Sequence, residues 1–299
     1  MTAPKNKTLL GIGLMLVAML IFPFLDVMAK KLGQQGLPVM EIVWARLFLG
    51  ALMTLPILYF IEGRQALALR DVKLNGARAF FIVATTFLFF TAMKFQGIAE
   101  TLSIYFIQPI VITALAPLLL KEKVEWRRWI AVAIGFFGVL VIIRPGLIAF
   151  NPGTVLAFAS GCASAFVLLI SRKLAGNSSA LANTFYTSFL GGIMASIIMI
   201  WQWQWPTQTQ WIMMFALSAI GTMANYLVIK GFEYCEASLL APFGYAEMIN
   251  AITAGWFFFG DFPDFFTFVG VAILIGCALW ISNHERNRSA RDVMDPARS

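Results

Sequence analysis

Charge is scarce in this chain. Asp, Glu, Lys and Arg make up 12% of its 299 residues, about half the ~25% common in soluble domains. With 60% hydrophobic residues and a mean hydropathy of +0.80, a water-soluble fold is excluded, because a globule of this size cannot hide so much apolar surface. Histidine is nearly missing. The single one, His284, falls just past the last apolar run, which excludes a histidine-centred active site or metal cage within the membrane. Cysteine is thin as well: Cys162, Cys235 and Cys277 lie in or at the ends of apolar runs, with neither a zinc spacing nor a disulfide framework. They read as small packing residues. No metal and no cofactor is expected.

What charge there is leans basic, with a net +7 and a pI near 9.5. The basic residues form short clusters between apolar runs rather than a patch on a polar domain, as charges facing anionic lipid do. The bilayer is the expected partner and nucleic acid is not. The first run, from about Leu9 to Ala29, is too long for a signal-peptide core and lacks an evident cleavage site, so it is expected to stay as an anchor.

A spanning helix needs about twenty mainly apolar residues. Ten such runs are present, near 8–29, 38–60, 76–94, 99–120, 126–144, 152–173, 181–201, 209–230, 237–259 and 265–283. The polar residues after Ser282 read as a mobile tail. With the N-terminus placed inside, only Lys30, Lys31, Lys94 and Arg144 fall outside and Arg46 falls within the second run; the other Lys and Arg are all inside. Both termini are therefore expected in the cytoplasm, with the chain multi-pass in the inner (plasma) membrane. Trp201, Trp203, Trp205 and Trp211 cluster around Pro206 in a loop on the outer side, and read as an interfacial belt; a stacking platform for ligand is the alternative.

The two halves echo each other. Lys30-Lys31-Leu32 closes the first run and Arg172-Lys173-Leu174 the sixth; Phe48-Leu49-Gly50 is matched by Phe189-Leu190-Gly191. Lys94 to Thr101 after the third run is answered by Lys230 to Ala237 after the eighth, and Lys121-Glu122-Lys123 by Gly260-Asp261-Phe262. The order is the same and the offset nearly constant. Five helices per half is odd, so the second copy is expected upside down. The expected fold is all-α, with ten transmembrane helices in two inverted repeats, 1–150 and 151–283, and a polar cytoplasmic tail, 284–299. Such repeats give two near-equivalent packings around a midplane site.

These residues resemble the drug/metabolite transporter superfamily, in its ten-helix branch of duplicated EamA-type domains. The resemblance is carried by Arg46, Ala92-Met93-Lys94, Glu100-Thr101-Leu102-Ser103, Gln108-Pro109, Lys121-Glu122-Lys123, Gly135 and Gly138. In the second copy it is carried by Glu236 to Pro242, Glu247, Gly260-Asp261, Gly270 and Gly276. Met248 stands where the family usually has proline, and Asp261 where it has glutamate; Pro242, one turn earlier, is placed to supply the kink. The resemblance implies a transporter that exports amino acids and drugs or imports cofactors and amines.

Charges at mid-membrane cost about 2.5–3.5 kcal/mol each on insertion scales and so need a reason. Glu247 lies near the centre of the ninth run, with Gly244, Asn250 and Ala254 on its face. It reads as a proton or cation site, or else as a neutral carboxyl bonded to a neighbouring helix. Gln108 takes the corresponding place in the fourth run, with Tyr105 and Thr101 on its face; these either orient a ligand or bridge helices. Asp26, beyond Pro23, and Arg46 lie at comparable depth in neighbouring runs and are expected to form a structural or gating ion pair, with direct substrate contact as the alternative. Ser160 and Ser164, with Ser171, share one face, and Ser218, Thr222 and Asn225 another; close helix packing and cavity lining are both open.

A secondary carrier working by alternating access accounts for these features. An intramembrane enzyme lacks its catalytic motifs, and a channel lacks a filter or charge ring. The expected substrate is a small zwitterionic or cationic amphiphile such as an amino acid or amine, with or without proton coupling. A cofactor-type solute, resembling S-adenosylmethionine, riboflavin or a nucleoside, is the alternative. Monomer and dimer are both open.

Overall fold

The computed structural model describes residues 5–64, 71–120, 126–143, 151–174, 179–234 and 246–294. Among them every regular element is helical. In chain order these are α1 (Lys5–Gln34), α2 (Val39–Trp44), a π-helical turn (Ala45–Leu49), α3 (Gly50–Glu62), α4 (Val72–Ala92), α5 (Ile98–Tyr105) and α6 (Gln108–Leu120). There follow α7 (Trp126–Ile143), α8 (Pro152–Leu174), α9 (Ala180–Met199), α10 (Gln208–Tyr234), α11 (Ala246–Phe259) and α12 (Phe265–Met294).

Among the described residues, six stretches are long and apolar enough to cross a bilayer: Leu9–Gln34, Val39–Glu62, Val72–Ala92, Pro152–Ser171, Leu181–Met199 and Gln208–Val228. Ile98–Ile112, Ala133–Ile143 and Phe265–Cys277 are shorter apolar helices. The fourth run read from the sequence is therefore not one straight helix, since it breaks between α5 and α6. Of the ninth run only α11 falls within the described residues. The expected mobile tail is corrected: α12 continues to Met294, because no glycine or proline stands between Cys277 and Met294 to stop it.

Large side chains point outward along the bundle, among them Phe60 at 83%, Phe257 at 78% and Leu118 at 75% exposure. In water such a surface would aggregate; in hydrocarbon it is solvated, and each helix satisfies its own backbone groups. The buried core gathers Leu25, Leu32, Ile42, Phe90, Leu217 and Met248, from α1, α2, α4, α10 and α11.

The helices pair in a pattern. α1 lies along α10, and α4 along α8; α1 also meets α11, as α8 meets α5 and α6. Other pairs join elements at equal places in the two halves, α2 and α3 with α9, α5 with α11, and α7 with α12, while α4 also meets α9 and α3 meets α10. Where α7 crosses α12 the contact is built on small residues. A Cβ on Gly270 would lie 2.7 Å from the Gly138 carbonyl oxygen and 2.3 Å from Ile142, so only glycine lets these backbones come this close.

Candidate functional site

The break between α5 and α6 follows from Pro109, which has no N–H to give the Tyr105 carbonyl one turn earlier. The chain turns through Phe106 and Ile107, with Ile107 N–H donating to the Ile104 carbonyl at 3.1 Å. Gly161 of α8 fills the space against the interrupted backbone: a Cβ there would lie 2.5 Å from the Tyr105 oxygen. This close approach brings Ser164, one turn further along α8, to the break. Its hydroxyl lies 2.6 Å from the Tyr105 hydroxyl and accepts from Gln108 Nε2 at 2.7 Å. Phe89 of α4 meets the Tyr105 ring edge to face, 5.3 Å between centroids. The sequence places Tyr105 and Gln108 on the fourth run and Ser164 on the sixth, and the structure joins them in one polar cluster.

The charged residues face the same region. Arg46 sits in the π turn of the second run, donates to Thr86 Oγ1 at 3.3 Å and lies over the Phe90 ring, 5.8 Å from its centroid. Ser218 of α10 braces this turn, its hydroxyl 2.7 Å from the Ala45 carbonyl oxygen. Asp26, Glu247 and Tyr105 are all within electrostatic reach of Arg46. Asp26 is 6% exposed and, among the described residues, accepts no hydrogen bond. The expected Asp26–Arg46 ion pair is corrected to this looser association, because the π turn directs the guanidinium to Thr86 and Phe90 instead. Two carboxyls around one guanidinium, beside a hydroxyl and an amide, make a group able to hold a solute with both amine-like and polar atoms.

Other expected residues are committed elsewhere. Thr101 is fully buried, donates to the Gly97 carbonyl at 2.8 Å and accepts from Gln96 at 3.1 Å; it is bonded at the start of α5 and does not join Gln108. Asn250 donates to the Leu20 carbonyl and ties α11 to α1. Ser160 donates to the Thr85 carbonyl at 2.8 Å while Thr85 Oγ1 donates to the Ser160 carbonyl at 3.2 Å, so this pair locks α4 to α8. Asn225 spends its amide on the Gly221 carbonyl of its own helix. Of the tryptophans, Trp201 and Trp205 are exposed, as an interfacial belt requires. Trp203 instead packs edge to face on Trp44 at 5.7 Å. Lys121 to Lys123, Cys235, Glu236 to Pro242 and Gly244 lie outside the described residues.

One feature was not legible at all. Lys30 of α1 forms an ion pair with Asp261 from the turn after α11, and its ammonium also lies 4.7 Å from the centre of the Phe259 ring. The pair borders a cavity of about 500 Å³ lined by Lys30, Gln34, Phe90, Lys94, Gln96 and Asp261, among others. Phe90 is at once a wall of this cavity and the ring beneath Arg46.

The chain is similar to known proteins over most of its length. The model of the EamA-like transporter family matches residues 9–144 and again 151–283. An S-adenosylmethionine uptake transporter of Rickettsia felis is 26% identical over 95% of this chain and 96% of its own; that of Rickettsia prowazekii is 27% identical over 92% and 93%. A riboflavin transporter of Vibrio cholerae is 26% identical over 96% and 98%. A solved crystal structure aligns with a TM-score of 0.66 at 17% identity, across 96% of this chain and 99% of that one, a likeness of fold alone. The family and these relatives are transporters rather than enzymes. With the family model matching each half once and so nearly the whole length, the chain belongs to the EamA-like transporter family.

Proposed function

We propose that this multi-pass membrane protein takes up a cofactor-type solute of the S-adenosylmethionine kind across the inner membrane by alternating access. The observation that carries the reading is the charge of the central group: Asp26 and Glu247 are both within electrostatic reach of a single Arg46. With both carboxyls ionised the group holds one surplus negative charge. S-adenosylmethionine has a sulfonium and an ammonium against one carboxylate, and so one surplus positive charge. Its cationic centres match Asp26 and Glu247, its carboxylate matches Arg46, and its adenine suits the Tyr105, Gln108 and Ser164 cluster beside Phe89. A simple amino acid leaves that aromatic and amide cluster unused, and the curated relatives carry larger solutes. Riboflavin is the second reading, favoured by the Vibrio cholerae relative and by the ring faces at Phe89 and Phe90; it is neutral and leaves the surplus charge unmatched.

In this reading the chain is two inverted five-helix halves with both termini in the cytoplasm, and the halves rock about the central group. The helix pairing supports it: exchanging each helix with its counterpart turns the α1–α10 contact into the α8–α4 contact, and both exist. The test is uptake into proteoliposomes. Labelled S-adenosylmethionine should accumulate and be displaced by unlabelled solute, with riboflavin a weak competitor. Riboflavin uptake without S-adenosylmethionine uptake would select the second reading, and uptake of neither would remove both.

A further inference from the structure

We propose that the cavity beside the Lys30–Asp261 pair is an entrance site that captures the carboxylate of the incoming solute, with Asp261 acting as a displaceable internal carboxylate. The proposal rests on the transport reading above but concerns a different place, one helical turn from the central group along α1.

Four observations carry it. Lys30 and Lys94 both line the cavity, and Asp261 is the one acidic residue among its lining residues, so the site holds surplus positive charge. Lys94 is exposed and, among the described residues, forms no ion pair. The Lys30 ammonium is held in place by the Phe259 ring and the Gln96 carbonyl oxygen at 3.5 Å. Its carboxylate partner is the less fixed member: the Lys30 side chain is 10% exposed, whereas that of Asp261 is 38% exposed. Asp261 also follows Gly260, which has a φ of 71° and ends α11 in a left-handed turn that glycine adopts without steric cost. A carboxylate from solution thus has a fixed ammonium to replace Asp261 on, and a second ammonium to engage at once. The volume of about 500 Å³ suits a solute of several hundred daltons.

The location gives the site its use. Phe90 separates this cavity from Arg46, and Lys30 stands one turn above Asp26. A solute held here by its carboxylate lies next to the central acids that would take its cationic centres. Capture by two lysines therefore selects solutes with a carboxylate before the central group is reached.

The test reads the reactivity of the Lys94 amine toward a water-soluble acylating reagent, mapped by mass spectrometry on the full chain in nanodiscs at constant ionic strength. S-adenosylmethionine should slow Lys94 labelling several-fold, and its decarboxylated analogue should not. In Asp261→Asn the concentration giving half-protection should fall several-fold, because the internal competitor is gone. Equal protection by both compounds, protection by neither, or stronger protection by inorganic phosphate than by S-adenosylmethionine would each overturn the carboxylate assignment. An unchanged half-protection in Asp261→Asn would overturn the displacement. Uptake measured in parallel separates the two claims: transport without Lys94 protection defeats this proposal alone, and protection without transport defeats the function proposed above.

Discussion

Ser164 meets two partners at once, Tyr105 at 2.6 Å and Gln108 at 2.7 Å, so its hydroxyl fixes both side chains that are proposed to face the solute. Replacing it with alanine strands a buried hydroxyl and an amide, each worth about 1–3 kcal/mol when left unsatisfied. Ser164→Ala should therefore lower the melting temperature in detergent and raise the KM for uptake; loss of neither would remove Ser164 from the site. Glu247 is tested differently. Glu247→Gln keeps the shape and hydrogen-bonding capacity of the side chain but removes its charge. It should cut uptake of a cationic solute by at least about tenfold, the size expected for losing one buried charge contact of about 1.4 kcal/mol or more, with an unchanged melting temperature. Unchanged uptake would take Glu247 out of the mechanism. The charged residues were conspicuous in the sequence, because a carboxylate or guanidinium within an apolar run has few structural excuses. The partners of Thr101 and Asn250 were not legible, because helix-face arithmetic places a side chain without saying where its hydrogen bonds go. In the folded chain both are spent on backbone carbonyls, at Gly97 and Leu20.

The break between α5 and α6 is the element on which the polar cluster depends. Its cause, Pro109, is visible in the sequence, yet proline in an apolar helix usually bends it and need not break it. What completes the break is the tight approach of Gly161 from α8, and no local pattern reports a contact between helices so far apart in the chain. Gly161→Ala places a methyl group 2.5 Å from the Tyr105 carbonyl oxygen. The expected cost is about 1–3 kcal/mol, as for other overpacked sites, read as a lower melting temperature and a raised KM. Gly276→Ala serves as the control, since nothing lies within 4 Å of a Cβ there; it should leave both quantities unchanged. Equal effects at the two glycines would show that Gly161 holds no special place. The π turn at Ala45–Leu49 was illegible for a related reason: no proline or glycine stands within it, and its brace, Ser218, comes from α10.

At the scale of the whole molecule, composition alone decided the membrane setting, whereas the pairing of α1 with α10 and of α4 with α8 joins helices that no local pattern relates. The Lys30–Asp261 pair was hidden because its members are 231 residues apart and each belongs to a motif with a local reading of its own. The proposed orientation has both termini in the cytoplasm, so a fluorescent protein fused to the C-terminus should glow and a phosphatase fused there should stay inactive; the reverse would contradict that orientation. The central claim is that one polar cluster is reached from each side of the membrane in turn. It is tested most directly by Ser164→Cys in a chain whose own three cysteines have been replaced. An impermeant thiol reagent should label that cysteine in right-side-out and in inside-out vesicles alike, with S-adenosylmethionine slowing both reactions. Labelling from one side only, or from neither, would contradict the account.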